Sequence, residues 1–409
     1  MNNRPTIIDA FNVCVEKYAA NPFLWEKTGD KYLSTTYQEC KEQVYQIAAG
    51  LLQLGVKPGE KIALLSEGRN AWIIGELGIL HTGAINVPLS IKLEESNDLI
   101  FRLSHSESKY IFVSGNQLKK VRKIIASLPL VQKVIIYDEQ PSYEPLEMSL
   151  KELMEWGKTY LERFPDSVEK VAQRIQPDDL ANISYTSGTT ADPKGVMLTH
   201  RNYTANVEQS LTRIDVFPYH RILIILPLDH CFAHVAGFYI FMVSGASVGT
   251  VTVGKTAIET LKNIPVNMKE LKPSLLLSVP ALAKNFRKSI ESNIHSQGKF
   301  VQWMFNTGLK MNYSYNKEGY NKGRGLQILK KPLLKLFDVV LFKKVRQAFG
   351  SELEFFVGGG ALLDIELQRF FYAIGIPMYQ GYGLSEATPV ISTNAERRHK
   401  LGSSGCPVE

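Results

Sequence analysis

Short, continuous apolar runs alternate with amphipathic or polar stretches along most of the chain. Thr36-x-x-Glu39 is a capping-box pattern, and Val44, Ile47, Ala48, Leu51 and Leu52 then recur at helical spacing. Gly55 ends that helix, and Lys57-Pro58-Gly59 turns the chain into the run Ile62 to Leu65, which reads as a strand. A helix over Ala71 to Leu80 and a strand over Ala84 to Leu89 follow. The rhythm continues, with strands predicted at 110–113, 133–137, 181–185, 222–226, 247–253, 274–279, 353–357 and 377–380. Continuous rather than alternating apolar runs are the mark of largely parallel sheets covered by helices on both faces, so the chain reads as α/β. Residues 141–180 are more polar and read as helical, bridging two halves. Residues 285–345, rich in Lys, Asn and Tyr, read as a helical insertion. No internal repeat interrupts the pattern.

The stretch from Cys231 to Val253 contains no Asp, Glu, Lys or Arg and is long enough to span a bilayer. His234, the glycines Gly237, Gly245 and Gly249, and the β-branched end from Ser247 favour a buried helix followed by a buried strand. Length and composition fit that reading. A chain of 409 residues exceeds what one hydrophobic core usually serves, and 44% hydrophobic with 21% charged residues excludes a disordered polymer. The net charge of +7 allows an anionic partner, but the Lys and Arg residues look scattered along helices, and nucleic-acid recognition has nothing else behind it. Cys14, Cys40, Cys231 and Cys406 form no CxxC pair, which argues against a zinc site or a disulfide framework and for a reducing compartment. The N-terminus has no apolar core of signal-peptide length, so a cytoplasmic protein is expected.

The densest chemistry follows the strand at 181–185. Thr186, Ser187, Gly188, Thr189, Thr190, Ala191, Pro193, Lys194 and Gly195 put four hydroxyls, two glycines and one lysine into ten residues. Glycines expose backbone N–H groups, hydroxyls donate hydrogen bonds and Lys194 supplies positive charge, which together suit a polyphosphate. Lys194 precedes Gly195 instead of following a glycine and leading into Ser or Thr, so this is not a Walker A loop. Two further loops leave strand ends: Gly358-Gly359-Gly360-Ala361, and Gln380-Gly381-Tyr382-Gly383-Leu384-Ser385-Glu386. Bare glycine backbone and the Tyr382 ring suit a flat base, Ser385 a phosphate, and Glu386 a hard cation such as Mg²⁺. Glu386 stands where a dinucleotide fingerprint needs its third glycine, which disfavours an NAD(P)-dependent oxidoreductase. His230, after Leu226-Pro227-Leu228-Asp229, is on its own more often a structural histidine than a catalytic one.

The loop at 186–195 resembles, almost residue for residue, the phosphate motif of the adenylate-forming enzymes: acyl-CoA synthetases, luciferases and peptide-synthetase adenylation domains. Ala191 stands where that family usually has Gly, and Ser385 where it more often has Thr. Thr36-Tyr37, the segment Trp72 to Pro88, and Gly402 to Pro407 are similar to lesser motifs of the same family. Leu277-Ser278-Val279-Pro280, the insertion after it and Phe355-Phe356-Val357 are most similar to the long-chain fatty acyl-CoA ligases, with Ala281 in place of the usual Arg.

The resemblance implies the family's large N-terminal domain over 1–409: layered, largely parallel sheets flanked by helices, with a smaller β subdomain. Approximate, interleaved subdomains are expected at 1–175 and 176–409. It implies an AMP-forming acid–thiol ligase that activates a fatty acid with ATP and passes it to coenzyme A. Thr186, Ser187, Gly188, Thr189, Thr190 and Lys194 would hold the β- and γ-phosphates, Ser385 the α-phosphate, and Glu386 with Thr186 the Mg²⁺. Gly358, Gly359, Gly360, Ala361, Gln380, Gly381, Tyr382 and Gly383 would surround the adenosine, and His230 would stand at the acyl and thiol entrance. The apolar helix Phe232 to Met242 would line an acyl pocket. The family's ribose-binding aspartate, hinge and catalytic lysine lie C-terminal to the matched motifs, so this chain alone is expected to turn over poorly. A ligase for short-chain, aryl or amino acids, and a non-catalytic nucleotide or lipid binder, are the other readings. Oligomeric state is open, a homodimer included, and the basic, aromatic segment Lys299 to Lys344 allows peripheral contact with an inner membrane face.

Overall fold

In the computed structural model, residues 5–186, 192–254 and 256–409 are described. The strands are β1 (Pro22–Thr28), β2 (Lys31–Thr36), β3 (Lys61–Leu65), β4 (Ile85–Leu89), β5 (Tyr110–Val113), β6 (Lys133–Ile136), β7 (Glu147–Ser149) and β8 (Leu180–Thr186). They continue as β9 (Lys194–Thr199), β10 (Arg221–Ile224), β11 (Ser247–Thr250), β12 (Leu275–Ser278), β13 (Phe355–Gly358), β14 (Met378–Gly383), β15 (Val390–Thr393) and β16 (Cys406–Pro407). They form two sheets flanked by helices, one in the order β7-β6-β5-β3-β4-β8-β9 and the other β16-β15-β14-β13-β12-β10-β11-β1-β2. Neighbours are parallel except β8–β9 in the first sheet and β1–β2, β14–β15 and β15–β16 in the second. The α/β expectation of largely parallel layers is borne out, and β14 to β16 supply the smaller antiparallel portion, continuous with the large sheet.

Local chemistry explains the elements that the apolar pattern predicted. Thr36 caps helix Tyr37–Gln53 in a full capping box: its side chain accepts from the Glu39 N–H, and the Glu39 carboxylate accepts from the Thr36 N–H at 2.7 Å. Helix Asn70–His81 buries every residue except Ala71, because it lies between the sheets and joins the core on both sides. Each fully buried Ile or Leu there contributes roughly 2 kcal/mol. Glu76 on this helix is wholly buried and bonded across the layers through one carboxylate oxygen, which accepts from Asn86 Nδ2 and Tyr239 OH, each at 3.0 Å, with His234 Nε2 at 2.8 Å, while its other oxygen has no partner among the described residues. The bonded oxygen ties helix Asn70–His81 and β4 of the first sheet to the helix that packs on the second.

Several features depart from the sequence reading. Helix Ile7–Tyr18, capped by Thr6 and Asp9, and the β1–β2 hairpin precede the first predicted helix. The bridging segment 141–180 begins with β7 before helices Leu150–Arg163 and Ser167–Ala172. The predicted strand at 222–226 ends at Ile224, and that at 247–253 ends at Thr250. The charge-free stretch folds as a π-helix, Ala233–Tyr239, a short α-helix, Ile240–Val243, and then β11, almost all of it buried. Among the described residues no helix is long and apolar enough to cross a membrane. The insertion is helical as expected, with helices Pro280–Ser296, Lys299–Asn316 and Lys331–Phe337.

Candidate active site

Ligands of parallel α/β sheets bind beyond the carboxyl ends of the strands, where loops converge. Here the ends of β8 from one sheet and of β10, β12, β13 and β14 from the other meet around one cavity of about 720 Å³, within the range of ~300–1,000 Å³ usual for small-molecule sites. Thr186 closes β8 and pairs antiparallel with Lys194 at the start of β9. Both paired residues border the cavity. Ser187, Gly188, Thr189, Thr190 and Ala191 lie outside the described residues.

The other two loops reach the same cavity. Gly359, Gly360, Gly381, Tyr382, Gly383, Ser385 and Glu386 all border it, as does His230, whose side chain is largely exposed. Tyr382 is half-exposed, with its ring free to cover a planar ligand. Two of the glycines are required by geometry. Gly360 has φ +76°, a conformation that costs a residue with a Cβ about 1–2 kcal/mol. Gly359 lies against the Phe232 ring, where a Cβ would stand 2.8 Å from Cζ.

Three predicted residues do not border the cavity. Gly358 is buried at the end of β13 and paired with Gln380 of β14. Gln380 turns its side chain into the protein: Oε1 accepts from the Leu363 N–H at 2.9 Å, and Nε2 donates to the Ala361 carbonyl at 3.4 Å. Gln380 therefore shapes the Ala361 loop from behind, and Ala361 faces solvent.

Beyond the loops the cavity changes character. It runs along one face of β12 past Val279, Leu277 and Leu275, alternate residues that share a face of the strand. That spacing gives a depth of about 13 Å at ~3.3 Å per residue. Ile222 and Val357 from the flanking strands and Ala233, Ala236, Ile240 and Phe241 from the apolar helix complete this end. The helix predicted from Phe232 to Met242 thus does line the cavity, through its two alanines and the residues one turn on. Its π-helical winding, with the Ile240 N–H bonded to the Val235 carbonyl, had no signal in the sequence. Apart from Lys194, Glu386 and His230, no charged or imidazole side chain among the described residues borders the cavity.

Sequence reasoning did not single out Cys231. Its thiol borders the cavity at the junction of the two ends, 3.6 Å from Ser184 Oγ. Burial pushes its pKa up, with its hydrogen-bonding contacts to Ser184 and Ser385 working in the opposite direction. It is held as a neutral packing thiol. Magnesium fits the donor set: hard oxygens from Glu386 and Thr186 border one cavity, and no cluster of three acidic, histidine or cysteine residues competes among the described residues.

Comparison with known proteins agrees with this geometry. The family model described as AMP-binding enzyme matches residues 11–409. The chain is 28% identical to the chloroplastic long-chain-fatty-acid–[acyl-carrier-protein] ligase AEE15 of Arabidopsis thaliana, over 98% of this chain and 58% of that one. It is also 28% identical to the long-chain-fatty-acid–CoA ligase FadD15 of Mycobacterium bovis, over 92% of this chain and 60% of that one. The chain therefore spans about three fifths of those relatives' length. The anthranilate CoA ligase AuaEII, solved with anthranoyl-AMP, superposes with a TM-score of 0.75 at 18% identity, over 100% of this chain and 65% of that one. The long-chain-fatty-acid-CoA ligase FadD1 of Archaeoglobus fulgidus gives 0.71 at 19% identity, over 99% and 69%. At those identities the likeness is one of fold.

Proposed function

From the premise that this chain belongs to the AMP-binding enzyme family, we propose that it is the ATP- and acyl-binding part of an AMP-forming acid–thiol ligase whose acid is a long-chain fatty acid. The carrying observation is one continuous cavity with a hydroxyl, glycine, lysine and carboxylate end and an apolar end about 13 Å deep. Relatives named as long-chain ligases support the same acid. An amino acid would need a buried partner for its ammonium group, and the described apolar walls supply no carboxylate.

A carboxylate is a poor acyl donor because oxide would have to leave. In the proposed reaction the fatty carboxylate oxygen attacks the α-phosphorus of ATP, the bond to the bridging oxygen breaks, and pyrophosphate departs. The mixed anhydride then yields to the thiol of coenzyme A, with AMP leaving. Lys194, Thr186, Ser187, Gly188, Thr189 and Thr190 would hold the β- and γ-phosphates, and Ser385 the α-phosphate. Mg²⁺, when held by Glu386 and Thr186, would supply charge neutralisation at the phosphates. Tyr382 and the bare backbone of Gly359 and Gly360 would bracket adenine. His230, which is exposed and borders the cavity, would stand at the acyl and thiol entrance. The division of the chain near residue 175 remains part of the same proposal.

The test is fatty-acid-dependent ATP–pyrophosphate exchange, followed with the chain in excess because turnover by the chain alone is expected to be slow. Exchange should require Mg²⁺ and a long-chain acid, and Glu386→Gln should lower it by about 1,000-fold, on the order of 4 kcal/mol, while leaving the melting temperature unchanged. Exchange driven only by short or aryl acids would keep the family and discard the substrate. Undiminished exchange in Glu386→Gln would remove Glu386 from the site.

A further inference from the structure

The net positive charge of this chain is not spread over it. Between Lys299 and Arg346 the sequence holds eleven Lys and Arg against two acidic residues, Glu318 and Asp338, a balance of +9. The whole chain is at +7, so everything outside this segment sums to −2. The apparent scatter of basic residues conceals one concentrated block, and that block is the helical insertion. Asp338 is already paired with Arg346 at 2.6 Å, and among the described residues Arg346 is the one cation of the segment in an ion pair.

The same segment exposes large apolar side chains. Helix Lys299–Asn316 buries Phe305, Gly308 and Leu309 against the body of the protein and turns Phe300 and Trp303 outward, 70% and 63% exposed, with their rings stacked at 6.1 Å. The turn Gly325–Lys330 exposes Leu326 by 83% and Leu329 by 74%, and helix Lys331–Phe337 exposes Leu336 by 58% while burying Leu334. These pieces form one outer layer. Ser314 of the long helix is within 2.7 Å of Lys330 Nζ and donates to Gln327 Oε1 at 3.1 Å, tying the turn to the helix. The two helices therefore each satisfy the core with one face, and all three elements leave apolar side chains unpartnered, bordered by Lys299, Lys310, Lys330, Lys331 and Lys335.

Isolated exposed apolar residues need no explanation, but a basic layer that repeats them across three consecutive elements does. We propose that the outer face of the insertion docks on an anionic lipid surface, with Phe300, Trp303, Leu326 and Leu329 entering the headgroup boundary and the lysines meeting lipid phosphates. Charge complementarity and composition choose this occupant. Leu, Trp and Phe set among lysines are the make-up of interfacial helices, whereas lysine is depleted at protein–protein contacts. A nucleic acid would match the charge and leave the apolar residues without a role. The proposal stands apart from the ligase reading, because no residue of the docking face borders the cavity.

The experiment is co-sedimentation of the chain with vesicles of phosphatidylcholine alone and with about 30% phosphatidylglycerol added. Binding to the anionic vesicles only, weakening as salt rises from roughly 0.05 to 0.5 M, is the expected result. The exposed triple variant Lys310→Glu, Lys331→Glu, Lys335→Glu should lower partitioning by about 100-fold. Leu326→Asn with Leu329→Asn should lower it without changing the salt dependence, and a vesicle-induced blue shift of tryptophan emission should vanish in Trp303→Phe. Acyl-adenylate binding, measured on every variant, should stay at the parent value and shows that the variants fold. Partitioning unchanged in the triple variant, or equal on neutral and anionic vesicles, would overturn the proposal. So would capture by an acidic acyl-carrier protein with no affinity for vesicles, which would assign the face to a protein partner.

Discussion

At its polar end the cavity takes Thr186 and Lys194 from one antiparallel strand pair and Ser385 and Glu386 from one loop, so a few short stretches of chain supply nearly all the chemistry. At its apolar end the walls come from Ser210, Ile222, Ala236, Ile240, Leu275 and Val357, residues spread over about 150 positions of sequence and brought together only by sheet order. The polar end depends on backbone conformation and on donors whose types cannot be exchanged. The apolar end depends on shape and area alone, where isosteric exchange is cheap and added bulk is not. Residues that set binding strength and residues that set the choice of acid should therefore respond to different perturbations.

A change that strikes the fold without touching either end gives the largest expected effect. His81, His200 and His399 are buried, and loss of hydration lowers the pKa of each to about 4. An unfolded histidine titrates near 6.5, so below that pH the unfolded chain takes up protons that the folded one refuses. The contribution is fully present above pH 6.5 and is lost as pH falls towards 4, on the order of 3 kcal/mol for each histidine. Melting temperatures measured from pH 7.5 to 4.5 should fall steeply below 6.5, with adenylate affinity unchanged until unfolding begins. Stability that is flat across this window would contradict the burial of the three rings.

Ala236→Phe separates the two ends more selectively. Its ring would occupy the apolar end and cost a palmitoyl adenylate about 200-fold in affinity, some four CH₂ groups at ~0.8 kcal/mol each, while an acetyl adenylate loses nothing. Equal loss for both ligands would mean that the ends are not independent. A smaller change acts on the polar side. Gly360→Ala places a Cβ at φ +76°, should cost about 1–2 kcal/mol, and should weaken adenylates of every chain length by the same factor. Calorimetry over a chain-length series on both variants reads the two effects side by side.

The same contrast decides how much could be read from sequence. Capping by Thr36 and Glu39 is a local rule written in four residues, and the helix appeared where the rule put it. The Thr6–Asp9 box obeys the same geometry with Asp in place of the usual Glu or Gln, which leaves it outside that local rule. The segment 186–195 and the loop at 381–386 are legible because their residue types are unusual at that density, and the structure brings Thr186, Lys194, Ser385 and Glu386 to one cavity. Gln380 looked like part of that loop, yet it alternates to the other side of β14 and bonds to Leu363. Leu275 and Ile222 lie in predicted strands, and nothing in a β-strand says which neighbour will leave space beside it. The π-helix that lines the apolar end, and Cys231 at the junction, needed the packed structure.

The most direct test of the central claim, that one cavity joins a nucleotide end to a linear acyl end, is calorimetric titration with non-hydrolysable acyl-adenylate analogues from acetyl to palmitoyl. Affinity should rise by about 0.8 kcal/mol per CH₂ and then level off abruptly where the cavity closes beside Leu275. An affinity independent of chain length, or highest for the shortest acyl group, would contradict it.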